Sequence, residues 1–319
     1  MFDIHSVNPD QLEKHETKKK SICSIVVTYN AKKWVDRCFS SLFESNVPTD
    51  VIAIDNGSSD DTVQHLKEFF PMVEVIQNEK NLGFGGANNM GMKLAYRRGY
   101  EYVFLVNQDA WVEQDTLGKL VEVFEEGGFG IVAPLQFNGE GSRYDSRFEK
   151  QFRKGAGRNI DSLDVNGEVV ETKFVNAAFW MMSKYCLEKV GLFHPYFFHY
   201  GEDNNYCQRV RYLGLKVGVL SSAKAFHDRE MRTENNHRQN LKVKLFRRLA
   251  LLCFDPENDQ RLWSFYTRNI LRVMKFSLKK QLSNPFGLMY AGLQELLKIR
   301  RFQANFNSEL LDIRKDNRL

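Results

Sequence analysis

Ser21-Ile22-Cys23-Ser24-Ile25-Val26-Val27-Thr28-Tyr29-Asn30 is the stretch on which the fold turns. Its middle is a continuous β-branched run, and it ends in polar residues. A strand apolar on both faces belongs inside a parallel sheet covered by helices on either side. Outward from it the pattern returns. Val51 to Asp55 (VIAID) stops at Asn56-Gly57-Ser58-Ser59, and Val73 to Ile76 is a third strand. Tyr102 to Val106 (YVFLV) stops at Asn107-Gln108-Asp109, and Ile131 to Ala133 is a short fifth strand. Between them apolar residues recur at helical spacing: Trp34, Val35, Cys38, Phe39, Leu42 and Phe43; then Val63, Leu66 and Phe70 behind Asp60 or Asp61; then Leu117, Leu120, Val121 and Phe124 behind Asp115. Strands alternating with helices make βαβ units with right-handed crossovers. The predicted fold class is α/β: a Rossmann-like, mostly parallel, doubly wound sheet with a C-terminal helical appendage.

Such sheets bind ligands at the carboxyl ends of their strands. Tyr29-Asn30, Asp55-Asn56, the turn Asn81–Asn89 (NLGFGGANN) and Asp109 therefore surround one crevice. A carboxylate at Asp55 accepts from a nucleobase N–H or a ribose hydroxyl, or it closes an Asp-Asn-Gly turn; both readings stay open. The glycine turn is no dinucleotide fingerprint, because Asn88 stands where GxGxxG needs its third glycine and the turn follows the third strand. Its glycines still let a ligand or another backbone come close. Magnesium and manganese take one or two protein carboxylates beside phosphate oxygens, so Asp109 next to a diphosphate suffices. The alternative for Asp109 is a helix cap or a surface residue.

Further along, Phe137 to Thr172 is polar, rich in Gly and Arg and weakly periodic, which predicts an excursion of short strands or mobile loops. A helix from Ser183 to Val190 ends at Gly191, and Phe193 to Asp203 (FHPYFFHYGED) is dense in aromatics. A helix then runs from Asp203 to Leu213 with Gly214 at C′. Leu215 to Leu220 is a strand, with His227 just past it. Aromatic walls raise a carboxylate's proton affinity, as a general base requires, whereas acids opening a helix also serve as caps. A neutral imidazole at His227 could complete a metal shell, although a lone His is ordinarily structural.

The chain of 319 residues is 43% hydrophobic, ordinary for a packed protein. A net charge of +5, from 45 basic and 40 acidic residues, gives no case for a nucleic-acid partner. The segment Arg238 to Lys280 is nevertheless basic, with 11 Lys and Arg against 3 Asp and Glu. There Leu241, Leu245, Leu249 and Leu252 share a helical face edged by Lys244, Arg247 and Arg248, with Trp263, Phe265 and Tyr266 beyond. That face suits an anionic bilayer, or packing on the core or against a second copy. Cys23, Cys38, Cys186, Cys207 and Cys253 form no CxxC pair and read as buried thiols of a reducing compartment. Residues 1–20 are polar, without a secretory h-region, and no apolar run is long enough to span a bilayer. The expectation is a cytoplasmic protein, soluble or peripheral on the inner face of the membrane. Its expected parts are a polar segment 1–20, a catalytic domain 21–235 and a basic helical region 236–319.

The ordered set Ser24–Asn30, Asp55-Asn56-Gly57-Ser58-Ser59-Asp60, Asn81–Asn89, Asn107-Gln108-Asp109 and Tyr200-Gly201-Glu202-Asp203 resembles the family 2 inverting glycosyltransferases, in particular their bacterial rhamnosyltransferase-like branch. The resemblance spans about Ser21 to His227. It implies a GT-A fold, a nucleotide-diphosphate sugar donor, Mg2+ or Mn2+, and a glycan or lipid-linked acceptor. It implies that Thr28, Tyr29, Asn30, Asp55 and Asn56 hold the donor with Gly83, Gly85 and Asn89 of the turn and with Asn107 and Gln108. It further implies that Asp109 and His227 hold the metal, and that Asp203 is the base with Glu202 as helper or cap. Two positions depart from the pattern: the metal motif keeps a single carboxylate, and Asn205 stands where the family often carries a further acid. These motivate a second reading, a catalytically silent nucleotide-sugar or glycan binder. A third, a sugar-phosphate nucleotidylyltransferase, would want a basic glycine-rich loop after the first strand, where Tyr29-Asn30-Ala31 stands.

Overall fold

The computed structural model describes residues 21–163, 167–198, 200–229, 241–258, 271, 275, 285–306 and 308–314. The first half alternates as expected: β1 (Ile22–Thr28), α1 (Lys32–Phe43), β2 (Thr49–Asp55), α2 (Thr62–Phe69), β3 (Glu74–Gln77), α3 (Gly83–Arg97) and β4 (Tyr102–Asn107). There follow β5 (Ala110–Val112), α4 (Thr116–Glu122), β6 (Phe129–Asn138), α5 (Ser146–Ala156), β7 (Val169–Glu171), β8 (Phe179–Ser183), α6 (Lys184–Val190), α7 (Glu202–Tyr212) and β9 (Lys216–His227). Helices α8 (Leu241–Cys253) and α9 (Pro285–Asn305) follow, α9 opening on a proline, and a short 3-10 turn at Ser308–Leu311 comes after them.

One sheet runs β3-β2-β1-β4-β8-β6-β9-β5, with β7 also paired to β9. Strands β1 to β4, β6 and β9 point one way; β8, β5 and β7 run antiparallel to their neighbours. Residues of β1 alternate between two cores. Cys23 and Ile25 join α3, α5, α6 and α7 on one face, while Ile22 and Val26 join α1, α2 and α4 on the other. This is why the run reads as apolar throughout. All five cysteines are free and buried.

Several elements differ from expectation. The short fifth strand is the ten-residue β6. The supposed excursion contains α5, which Asp145 caps by accepting from the amides of Arg147 (3.1 Å) and Phe148 (2.7 Å). Phe148 and Phe152 form its buried stripe, hidden in the sequence by the charges between them. Asp115 does not cap α4 with its side chain; it pairs with Lys119 instead. Strand β9 continues past Leu220 through an irregularity opposite Pro134-Leu135, so His227 lies on it and not beyond it. The apolar face of α8 is covered: Leu245 and Leu249 pack with Phe197, Leu296 and Ile299 in a third core. The outward apolar residues belong to α9, where Phe286, Tyr290, Leu293 and Leu297 are exposed. Residues 1–20, the boundary near 235, and Trp263, Phe265 and Tyr266 lie outside the described residues. Among the described residues no helix is long and apolar enough to cross a membrane.

Candidate active site

Strand register aligns the polar ends, with Thr28 opposite Asp55 and Val27 opposite Asn107. Asp55 is fully buried, and its carboxylate is occupied by its own turn. It accepts from Thr28 Oγ1 (3.0 Å), the amides of Gly57 (3.1 Å) and Ser58 (2.9 Å), and Ser58 Oγ. The turn reading of Asp55 is thus the one this geometry realises. Asn56 ties the β2 end to the glycine turn, donating to Gly83 O (3.2 Å) and accepting from Leu82 N (3.2 Å). Gln108 clamps the β1 end at both backbone atoms of Tyr29, accepting from its amide (2.6 Å) and donating to its carbonyl (3.2 Å). Asn30, at φ 49°, accepts from the Ser59 amide (2.8 Å). The result is a rigid rim from which the Tyr29 ring, 47% exposed, projects.

Asp109 and His227 meet because Ala110 pairs with His227 across β5 and β9. Asp109 Oδ1 lies 3.3 Å from His227 Nε2, and Asn107 Nδ2 lies 3.4 Å from the same nitrogen. Both side chains of the pair are buried.

The glycine turn approaches protein, not open space. A Cβ on Gly83, at φ 76°, would overlap the Phe198 carbonyl oxygen. One on Gly85 would stand 3.2 Å from Phe193 Cβ and 3.6 Å from Glu202 Cβ. Asn89 uses both halves of its amide on Phe193, donating to its carbonyl (2.9 Å) and accepting from its amide (2.8 Å). Gly83, Gly85 and Asn89 therefore seat the aromatic segment and bring Glu202 to the crevice; their proximity to the acid motif is the part the sequence did not reveal.

The two acids open α7 in different environments. Glu202 is 6% exposed, and its Oε2 has no hydrogen-bond partner among the described residues. Burial first, and the adjacent Asp203 second, push its carboxyl up to about 8. Asp203 is also raised by burial, but two N–H groups of Asn204, at 2.8 and 3.1 Å from Oδ1, favour its charged form, with Arg247 assisting. A pair of carboxyls separated in this way has one member holding a proton and one able to take it.

Residues 23–191 match the model of glycosyl transferase family 2. The chain belongs to that family. It is 24% identical over 219 residues to the low-salt glycan biosynthesis hexosyltransferase Agl10 of Haloferax volcanii, covering 67% of this chain and 69% of that protein. It is 24% identical to the O-antigen chain rhamnosyltransferase WbaN of Salmonella anatum, covering 65% and 66%. Among solved structures it resembles S. aureus TarS 1-349 in complex with UDP-GlcNAc, at TM-score 0.59 and 19% identity over 91% of this chain and 85% of that one. It also resembles the mannosyltransferase PcManGT from Pyrobaculum calidifontis in complex with GDP-Man and Mn2+, at TM-score 0.55 and 16% identity over 91% and 77%. The fold is GT-A, and the chain is a glycosyltransferase that uses nucleotide sugars.

The family match ends at Gly191, so the acid motif, His227 and α8 of this family 2 glycosyltransferase lie beyond it. Two residues near the site escaped the sequence reading. Asn176 Nδ2 donates to Gln136 Oε1 (3.1 Å) and Gln151 Oε1 (3.2 Å), and its Oδ1 accepts from Ala178 N (3.2 Å), next to the end of β4. A single amide inside the apolar run FVNAAFWMM was the available signal. Arg247, named above only as an edge of the α8 face that suits a bilayer, the core or a second copy, reaches the acid motif: its Cγ lies 3.3 Å from where a Cβ on Gly201 would stand. Asn205 is fully buried, donating to Phe254 O (3.0 Å) and accepting from Arg209 Nε (3.2 Å).

Proposed function

We propose that this glycosyltransferase inverts the anomeric centre in one displacement, with Asp203 as base, moving a hexose such as rhamnose from its nucleotide diphosphate onto a hydroxyl of a glycan or lipid-linked acceptor. The observation that carries this reading is the contact of the glycine turn with Glu202, which sets a carboxylate pair of split proton affinity beside the strand ends. Asp203 takes the proton of the acceptor hydroxyl as its oxygen bonds to the anomeric carbon and the bond to the diphosphate breaks. Thr28, Asp55, Asn56 and Gln108 act by fixing the rim against which the nucleoside rests, and Tyr29 is its stacking surface.

Asp109 and His227 are the proposed metal ligands. Among the described residues no group of three or more His, Cys, Asp or Glu could hold a metal, so the remaining positions fall to diphosphate oxygens and water, the usual habit of Mg2+ and Mn2+. One carboxylate oxygen beside one imidazole nitrogen fits that role. When bound, the cation neutralises charge on the leaving diphosphate. Asn205, on α7 and buried against Phe254, has a structural task, which removes one ground for the silent-binder reading.

The setting proposed is the cytoplasmic face of a membrane. The outward stripe of α9 is edged by exposed Lys298, Arg300 and Arg301, and basic apolar helices lie on anionic bilayers. Liposome co-sedimentation tests this setting, and association of two copies through that stripe without vesicle binding is the competing outcome. The central experiment screens dTDP-rhamnose, UDP-GlcNAc and GDP-mannose with Mn2+ by thermal shift, then measures transfer with Asp203→Asn. The variant is expected to bind the donor and lose ~10²–10⁴-fold in turnover; near wild-type turnover would remove Asp203 from the mechanism.

A further inference from the structure

We infer that Arg247, carried by the C-terminal helix α8, is a positioning residue of the active site, supplying the positive charge against which the Glu202-Asp203 pair works. Nothing in the family match reaches it, since that match ends 56 residues earlier, at Gly191 (247 − 191). The geometry is built from several directions. The backbone just before the acids is left-handed at Tyr200 (φ 65°) and at Gly201 (φ 115°). A Cβ on Gly201 would meet Phe197 Cδ1 at 2.8 Å on one side and Arg247 Cγ at 3.3 Å on the other. The Arg247 guanidinium carbon stands 6.0 Å from the Tyr200 ring centre. Its apolar stem thus covers the start of α7 while its charge stays at the helix end that bears the acids.

Helix α8 is not free to move away. Asn205 donates to Phe254 O (3.0 Å), Gln208 to Asp255 Oδ2 (2.9 Å), and Arg211 pairs with Glu257 (3.6 Å), so α7 is fastened along the chain that ends α8. The aromatic segment adds His194, packed 4.4 Å from the Phe254 ring and held neutral by burial, with Arg209 nearby. Among the described residues, the charged and titratable groups that act on the pair are each other and Arg247 from α8, with the Cys207 thiol one turn along α7; α3 offers Gly85 and the aromatic segment offers Phe197. Arg247 is the cation whose field favours the ionised form of both acids.

The proposal rests on the reading of Asp203 as base, and the test separates the two. In full-length protein labelled with 13C at Asp and Glu carboxyls, the pair's signals are those lost in Glu202→Gln and Asp203→Asn. Glu202, which burial pushes up to about 8, supplies the highest midpoint, clear of the surface acids. Arg247→Met keeps the stem and removes the charge; it is expected to move the highest midpoint up by about one pH unit, a tenfold change in proton affinity. Arg247→Lys is expected to keep the wild-type midpoint within about 0.3 unit. An unchanged midpoint in Arg247→Met, or an equal displacement in Arg247→Lys, overturns the proposal; Arg247→Gln makes the same comparison if the Met variant does not fold. Full activity in Asp203→Asn would instead sink the base assignment and leave the titration result standing.

Discussion

Glu202→Gln tests the division of labour between the two acids without touching the proposed base. The wild-type side chain is buried beside a second carboxylate and titrates near 8 against an ordinary 4.5. Its folded-state proton affinity is raised, so between those two pH values the folded chain holds a proton that the unfolded chain has released. Stability therefore falls as pH rises through that window, by about 1.4 kcal/mol per unit for one proton. At pH 7 the gap from 4.5 is 2.5 units, or about 3 kcal/mol. Glutamine imitates the protonated form and carries no such penalty. The variant should match wild type within about 1 kcal/mol at pH 5 and exceed it by about 3 kcal/mol at pH 7. Urea unfolding at half-unit steps from pH 5 to 8.5 reads this directly. Turnover should persist, because the side chain replaced is the one already neutral. A variant destabilised by the same amount at every pH would mean that Glu202 is ionised when folded. The argument that Asp203 alone bears the negative charge would then fail.

Three further outcomes follow from the geometry. Asp109→Ala is expected to remove the manganese dependence of donor binding, since it deletes the single carboxylate of the Asp109–His227 pair; calorimetry with and without Mn2+ checks it, and undiminished metal-linked heat would exclude Asp109. Gly83→Ala should destabilise by about 2 kcal/mol or more and depress transfer, because it needs a left-handed φ and displaces the Phe198 carbonyl; thermal unfolding with unchanged Tm would contradict the close approach. Asn205→Asp replaces a buried donor to Phe254 O with an acceptor, and should cost roughly 2–4 kcal/mol; a gain in turnover without loss of stability would show that position 205 serves the chemistry and not the α7–Phe254 contact.

The parallel half of the fold was legible because burial on both faces leaves a plain trace: the interiors of β1, β2 and β4 are largely apolar, Ser24 of β1 being buried with its hydroxyl against Thr49. The second half was not. Ser221 to His227 alternates inward and outward with small residues, so its period is correct but its hydrophobic signal is faint, and β9 read as ending at Leu220. Helix α5 carried a cap, an i, i+4 pair of phenylalanines and a closing glycine, yet Arg and Lys between them made the window look like loop. The hydrogen-bond partners of the candidate site residues were not legible in the sequence. Asp55 spends its hydrogen bonds on its own turn and on Thr28, while Asn56, Gln108 and Asn89 spend theirs on backbone that the fold brings in from far along the chain, which no local window contains.

The acid motif shows why the C-terminal helices matter to that register. Tyr200 and Gly201 occupy left-handed backbone immediately before Glu202, a conformation that persists only where surroundings over-determine it. The surroundings come from three places: α3 through Gly83, Gly85 and Asn89; the aromatic segment through Phe197; and α8 through Arg247 and Leu249. The first two fall within or beside the family match, while the third lies well past it. Residues 241–258 pack on the aromatic segment and on α7, so a cut at 235 separates the acids from one of their three supports. A chain truncated there should keep the strand-end crevice, whose hydrogen bonds close among β1, β2, β3 and β4, and should lose order first at Tyr200–Asp203. Hydrogen exchange that rises at Tyr200–Asp203 and stays slow in β1 and β4 is the expected pattern; uniform protection would mean that α3 and Phe197 hold the acids unaided.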